Sequence, residues 1–201
     1  MRPLTLLLTL LSTTLTHASS LVKPHSCPAL PKGHLSPHST HQISYNTPWT
    51  PYAPNKFALL TPHDHCTLTT FSIPPSASGK TCTLLFSIPP LAPGKIGGCG
   101  EATYLFSGGG TFEFYAYGPG VGEGIKEKGV SYVDQAVWPG GVVKEMSVVP
   151  GKVYTVWEGA CRVGKVAGRM CSRDTYLGYS LGKGKEEKGA CKVGMFVGIG
   201  K

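Results

Sequence analysis

GKTCTLLFSIPP, residues Gly79–Pro90, reads as a strand that runs into a pair of prolines. Cys82, Leu84, Phe86 and Ile88 fall on one side of it, because successive side chains of a strand alternate between faces. A shorter copy, FSIPP at Phe71–Pro75, lies fifteen residues earlier. Prolines cannot donate to a ladder, so each copy has a hard stop. The two copies are too few and too close for a repeat array. They are expected to be neighbouring strands joined by Ser76–Lys80.

The surrounding text has the same grammar. Short runs rich in Val, Thr, Phe and Tyr alternate with Gly/Pro turns: Lys56–Leu60, Cys66–Ile73, Thr81–Ile88, Thr111–Tyr117, Ser131–Trp138, Val142–Val149 and Lys152–Trp157. In Thr111–Tyr117, Phe112, Phe114 and Ala116 share one face, with Glu113, Tyr115 and Tyr117 on the other. Such alternation marks a half-buried strand. Without long helical periodicity, the pattern predicts an all-β, antiparallel β-sandwich, jelly-roll or immunoglobulin-like.

Residues 1–18 set the compartment. Arg2 gives a short positive start, Leu4–Leu15 is apolar but broken by threonines, and Thr16-His17-Ala18 offers a small-residue cleavage point. This predicts a signal peptide rather than a membrane span, which needs about 20 apolar residues. Residues 19–55 are rich in Pro, Ser, Thr and His. Their prolines oppose helix and interior strand, which predicts an extended arm. Residues 56–181 form the expected sandwich domain, and residues 182–201 a Gly/Lys-rich tail.

The chain has seven cysteines: Cys27, Cys66, Cys82, Cys99, Cys161, Cys171 and Cys191. None stands in a C-x-x-C, so structural zinc and dithiol redox chemistry are poorly supported. In an oxidising compartment most should be bridged, and an odd number leaves one over. The formal net charge is +8, and +7 once Arg2 leaves with the signal. Residues 151–201 carry ten Lys/Arg against four Asp/Glu. Secretion makes nucleic acid an unexpected partner, whereas anionic wall polymers or membrane surfaces would be at hand. A solvated basic face that keeps the protein soluble explains the charge equally well.

Several motifs imitate chemistry. Ser78-Gly79-Lys80-Thr81 resembles the end of a phosphate loop, but Pro74 stands where that loop needs glycine, and a strand follows instead of a helix. Gly178-Tyr179-Ser180-Leu181-Gly182 matches G-x-S-x-G, yet all seven histidines lie at or before His65, so no base follows the serine. His63-Asp64-His65-Cys66 gathers four metal-ligating types, and alternate positions could present His63 and His65 together to zinc or copper. A turn leading into a strand, with Cys66 in a disulfide, accounts for the same residues. The carboxylates Glu101, Glu113, Glu123, Glu127, Asp134, Glu145, Glu158 and Asp174 show no spacing that pins a glycosidase pair. Tyr115, Tyr117, Tyr132, Trp138, Tyr154, Trp157 and Tyr176 could include a sugar-stacking row, though core or cross-strand roles are commoner for such residues.

In order, Thr69–Pro74, Gly79–Phe86, the turn and strand Ser107–Phe114, Val149–Tyr154 and Gly159–Gly164 resemble a fungal secreted-domain family. That family is named for the C-terminal domain of a ubiquitin 3 binding protein (But-two), and the resemblance spans roughly residues 57–181. It implies a β-sandwich in an extracellular or cell-surface protein without an established catalytic activity. It also implies a Cys82–Cys161 disulfide. The intracellular enzyme partner in the family's name is not one a chain with a signal peptide is expected to meet. The chain departs from the family pattern after Tyr179, which leaves Cys191 as the expected unpaired cysteine.

Three functional classes follow. The leading one is a non-catalytic structural or interaction domain, secreted and either extracellular or wall-associated, with no cofactor and no transmembrane segment. Its partner would be a cell-wall polysaccharide or another extracellular protein. The alternatives are a carbohydrate-binding module and a metal-binding protein using His63 and His65.

Overall fold

The computed structural model describes residues 27–91, 104–118, 120–125, 129–136, 140–181 and 191–200. The expected signal segment, Cys99 and Trp138 lie outside these residues. Among the described residues eleven strands follow one another: β1 (Ser39–Ser44), β2 (Phe57–Leu60), β3 (His65–Ile73), β4 (Thr81–Ile88), β5 (Tyr104–Gly108), β6 (Thr111–Tyr117), β7 (Gly140–Ser147), β8 (Lys152–Ala160), β9 (Gly164–Ser172), β10 (Thr175–Ser180) and β11 (Gly194–Ile199). Two short helical segments, α1 (Val121–Gly124) and α2 (Tyr132–Ala136), lie between β6 and β7.

All strand pairings are antiparallel. One sheet has the order β1-β3-β9-β6-β7; two three-stranded sheets, β2-β10-β5 and β11-β4-β8, complete the sandwich. Among the described residues only β6 and β7 are both consecutive and paired, so nearly every ladder joins distant parts of the chain.

The inner faces of the three sheets share one core. Phe86 of β4 meets Phe112 and Phe114 of β6, with ring centroids 6.0 and 5.8 Å apart, and Phe106 of β5 reaches Phe112 at 6.4 Å. Phe86, Phe112, Ile88, Met170 and Leu177 are fully enclosed. The period-2 pattern seen in GKTCTLLFSIPP and in Thr111–Tyr117 therefore delivers the core, each enclosed aromatic contributing about 3 kcal/mol of burial.

The two FSIPP copies are not neighbours. β3 belongs to the five-stranded sheet and β4 pairs with β11 and β8. Pro75 opens a single 3-10 turn, Pro75–Ala77, after Pro74. A proline's fixed φ suits the first position of such a turn. The chain thus leaves one layer and enters the other instead of doubling back beside itself.

A similar crossing occurs twice at one corner. β5 passes into β6 through Gly108-Gly109-Gly110, while β9 passes into β10 beside it. Gly108 and Gly110 have φ of 134° and 86°, and a Cβ on either would strike the backbone of Asp174 or Val148. Glycine is required there on both counts. Asp174 ties the two crossings together by accepting from the backbone N–H and the hydroxyl of Thr111, each at 2.8 Å.

Three expectations change. Residues 39–44 of the expected arm form β1, an edge strand whose six residues pair with β3. Prolines 37 and 48 flank this run without entering it, so its N–H groups remain free to pair. In the expected tail, Gly194–Ile199 forms β11 on β4, and Cys191 is bonded to Cys27 rather than unpaired. Ser131–Trp138, expected as a strand, holds α2. Ser131 and Asp134 cap each other there: Ser131 donates its N–H and hydroxyl to Asp134 Oδ2, and its Oγ accepts the Asp134 N–H. This reciprocal capping box starts a helix, overriding the β propensity of Tyr132 and Val133.

Cys82 and Cys161 form a disulfide, Cα–Cα 4.8 Å, and Cys66 and Cys171 another across β3 and β9. Loops this long, with separations of 79 and 105 residues, place each bridge in the range of about 2–4 kcal/mol.

Candidate functional site

The outer face of the five-stranded sheet is where polar chemistry collects. Its register sets Glu113 opposite Cys171, Tyr115 opposite Arg169, and Arg169 opposite Leu68. These are the alternate residues to Phe112, Phe114 and Met170, so the strands that build the core also build this surface. Part of it is roofed by the Pro-rich segment after β1 and by residues around α2. Tyr52 and Val130 exchange backbone hydrogen bonds at 3.1 Å, and Val133 donates to Pro48. Beneath the roof Ile43, Leu68 and Val130 form a second small apolar cluster with Cys66.

Where the roof ends, a cleft of about 410 Å³ opens. Tyr45, Tyr115 and Tyr132 form its walls, Asp64, Glu113, Arg169 and Arg173 supply its charges, and the Cys66–Cys171 bridge lies among its lining. Tyr45 is well exposed, at 62%, and its ring meets Tyr132 edge-on at 5.4 Å. Arg173 donates from Nε to Glu113 Oε1 at 2.7 Å, donates there a second time from Nη2, and lies 3.0 Å from Glu145. Tyr115 donates its hydroxyl to Glu113 Oε2 at 2.9 Å. The Arg169 guanidinium lies over the Tyr115 ring, 3.7 Å from its centroid, and donates to Gln135 Oε1 at 2.7 Å.

These contacts set the charge states. Burial alone would raise the Glu113 carboxyl, but hydrogen bonds from Arg173 and Tyr115 outweigh it and hold it below the ordinary value. Asp64 follows the same logic: burial opposes, while Ser44 (2.5 Å) and the Asn46 N–H (3.0 Å) prevail and lower it. Burial pushes the Tyr117 hydroxyl up to about 12, so this phenol, which donates to Gln135, stays protonated.

The sequence motifs fare unequally. His63 and Asp64 do line the cleft; His63 sits in the turn before β3 with φ of 58°. His65 Nε2 lies 3.5 Å from Asp64 Oδ2, and its ring meets Tyr52. Cys66 is committed to its disulfide, and among the described residues no three His, Cys, Asp or Glu side chains gather in a metal-holding group. Ser180 ends β10, an ordinary paired strand rather than a strand-to-helix elbow. Among the described residues the aromatics share no single row: Tyr115 and Tyr132 line the cleft, Tyr176 is exposed on the β2-β10-β5 sheet, and Trp157 lies on β8.

A second recess on the same face brings Ser39, His41 and Thr70 together. His41 Nδ1 faces the Tyr52 carbonyl at 3.4 Å, so that nitrogen carries the proton and Nε2 accepts from Ser39 at 3.3 Å. The Ser39 N–H is already given to Thr70 Oγ1 at 3.2 Å. His41 itself is only 1% exposed, and burial lowers its pKa and keeps it neutral. The trio seals β1 onto β3 and the roof.

Arg169, Arg173 and Tyr45 carried no signal in the sequence, since a lone arginine in a Gly-rich run and a tyrosine among prolines look like solvated surface. Glu113 and Tyr115 did carry one, as the polar half of an alternating strand.

Fold and site together define a disulfide-braced, antiparallel β-sandwich with a tyrosine-walled, charge-balanced cleft on its larger sheet. The chain belongs to the family described as "Ubiquitin 3 binding protein But2 C-terminal domain", whose model matches residues 35–180. The match begins before β1 and ends at the close of β10. No curated protein matches the chain.

Proposed function

We propose that the protein is a secreted, fungal cell-surface or wall-associated domain that binds its partner through the cleft without transforming it. One observation carries this reading: both cleft carboxylates are tied into hydrogen bonds that keep them ionised. A carboxylate pair that hydrolyses glycosides needs one member held protonated, with its pKa raised. Glu113 and Asp64 are both shifted the other way. Their contacts favour a rigid recognition surface.

Three disulfides support an oxidising compartment, as does the apolar segment Leu4–Leu15 read as a signal. Among the described residues no helix is long and apolar enough to cross a membrane.

The test is expression from the full-length sequence in a filamentous fungus, followed by separation of medium from insoluble wall. The protein is expected in the medium and wall fractions, and Tyr45→Ala or Arg173→Gln is expected to move it from wall to medium. Retention inside the cell would overturn the secreted role. Hydrolysis of wall material that disappears in Glu113→Gln would overturn the non-catalytic one.

A further inference from the structure

The cleft's own chemistry narrows what it can hold. Its two arginines, Arg169 and Arg173, are matched by two carboxylates, Asp64 and Glu113. With histidine neutral, the lining carries no net charge, although the whole chain is +8. Arg173 is taken up by Glu113 and Glu145, and Arg169 by the Tyr115 ring and Gln135. An acidic polymer would have to displace a carboxylate already in place and gain little electrostatic energy for doing so. A neutral ligand faces no such competition.

The paired groups retain hydrogen-bonding capacity. A guanidinium has five N–H donors and an ionised carboxylate about four acceptor sites. Glu113 Oε1 accepts twice from Arg173 and Oε2 once from the Tyr115 hydroxyl, which leaves an acceptor site on Oε2, beside the guanidinium N–H groups that Arg173 has not given to Glu113 or Glu145. A fixed donor plane beside a fixed acceptor plane suits two adjacent hydroxyls, because each hydroxyl both donates and accepts. Tyr45 stands at the mouth, more than half exposed and held edge-on to Tyr132, and offers an aromatic face to the C–H side of a sugar ring. At about 410 Å³ the cleft lies within the range of small-ligand sites.

An extended peptide would need something this face lacks. Recognition by strand addition uses an open sheet edge, whereas β6 and β9, which form the cleft floor, are each paired on both sides.

Resting on the reading of the cleft as the binding face, we infer that it takes a short stretch of neutral polysaccharide, gripped through neighbouring ring hydroxyls by Arg173 and Glu113 and covered by Tyr45. Salt should barely change such binding, since no net charge is neutralised.

The test is calorimetric titration of the full secreted protein with three probes: a β-1,3-glucan hexamer, a chitin hexamer and polygalacturonate. One neutral oligosaccharide is expected to bind, with affinity unaltered by added salt. Tyr45→Ala and Arg173→Gln should each weaken it about tenfold or more, the order of a lost aromatic or charged contact, with the thermal midpoint unchanged in Tyr45→Ala and only slightly lowered in Arg173→Gln, whose ion pair with Glu113 is half-exposed. Binding to polygalacturonate alone, weakening with salt, would overturn the inference. So would absence of oligosaccharide binding while the same variants still lose wall retention; the cleft would then serve a wall protein, and the interaction role would survive. Wall retention unchanged in both variants would remove the cleft reading itself.

Discussion

The two faces of β6 and β9 obey different rules. On the inner face Phe112, Phe114 and Met170 are enclosed by apolar neighbours. On the outer face Glu113, Tyr115 and Arg169 are held by hydrogen bonds, an ion pair and a stacked ring. One residue's shift along either strand exchanges these roles. Stability and recognition are therefore carried by alternate residues of the same strands, and substitutions should separate them.

The largest effect belongs to the inner face. Phe114→Ala removes a ring that packs against Phe86 and should cost about 3–5 kcal/mol, read as a fall in urea midpoint. A loss below 1 kcal/mol would mean the two layers do not meet there. Replacing both Cys82 and Cys161 by serine comes next, at about 2–4 kcal/mol. The same replacement at Cys27 and Cys191 should chiefly loosen the chain ends, read as faster amide exchange in β11 than in β9.

Acid should act on the outer face in two steps. Folding lowers the His41 pKa from 6.5, so the unfolded chain binds more protons at mildly acidic pH. Stability should begin to fall as pH drops below about 6.5, the ordinary histidine value, and His41→Gln should flatten this part of the profile. Glu113 and Asp64 have lowered pKa values. Their contribution is fully present above the ordinary carboxylate value of about 4 and is lost as pH falls through their folded values. A profile flat from pH 7 to about 4.5 would contradict the His41 assignment. The smallest effect on stability is expected from Tyr45→Ala, within about 0.5 kcal/mol, because the ring is largely exposed.

What could be read in the chain beforehand follows the same division. The strands at Phe57, His65, Thr81, Thr111, Gly140 and Lys152 announced themselves through β-branched and aromatic runs between turns. β9, GKVAGRMCS, did not: two glycines and an arginine give it little intrinsic preference, and it is a strand because β3 and β6 pair with it from both sides. β1 and β11 were hidden by their flanks, one among prolines and one after a Gly/Lys run. Each is fixed by a partner far away in the chain, and so is the Cys27–Cys191 bridge. Locality also limited the site. Glu113 and Tyr115 could be read from one strand, whereas Arg173, Arg169 and Tyr45 join them only through the register of the folded sheet.

The separation of faces is tested most directly by measuring wall retention and urea midpoint together on Arg173→Gln. The expected result is retention lost at a midpoint close to that of the unaltered protein. Retention kept, or lost only in step with the midpoint, would contradict it.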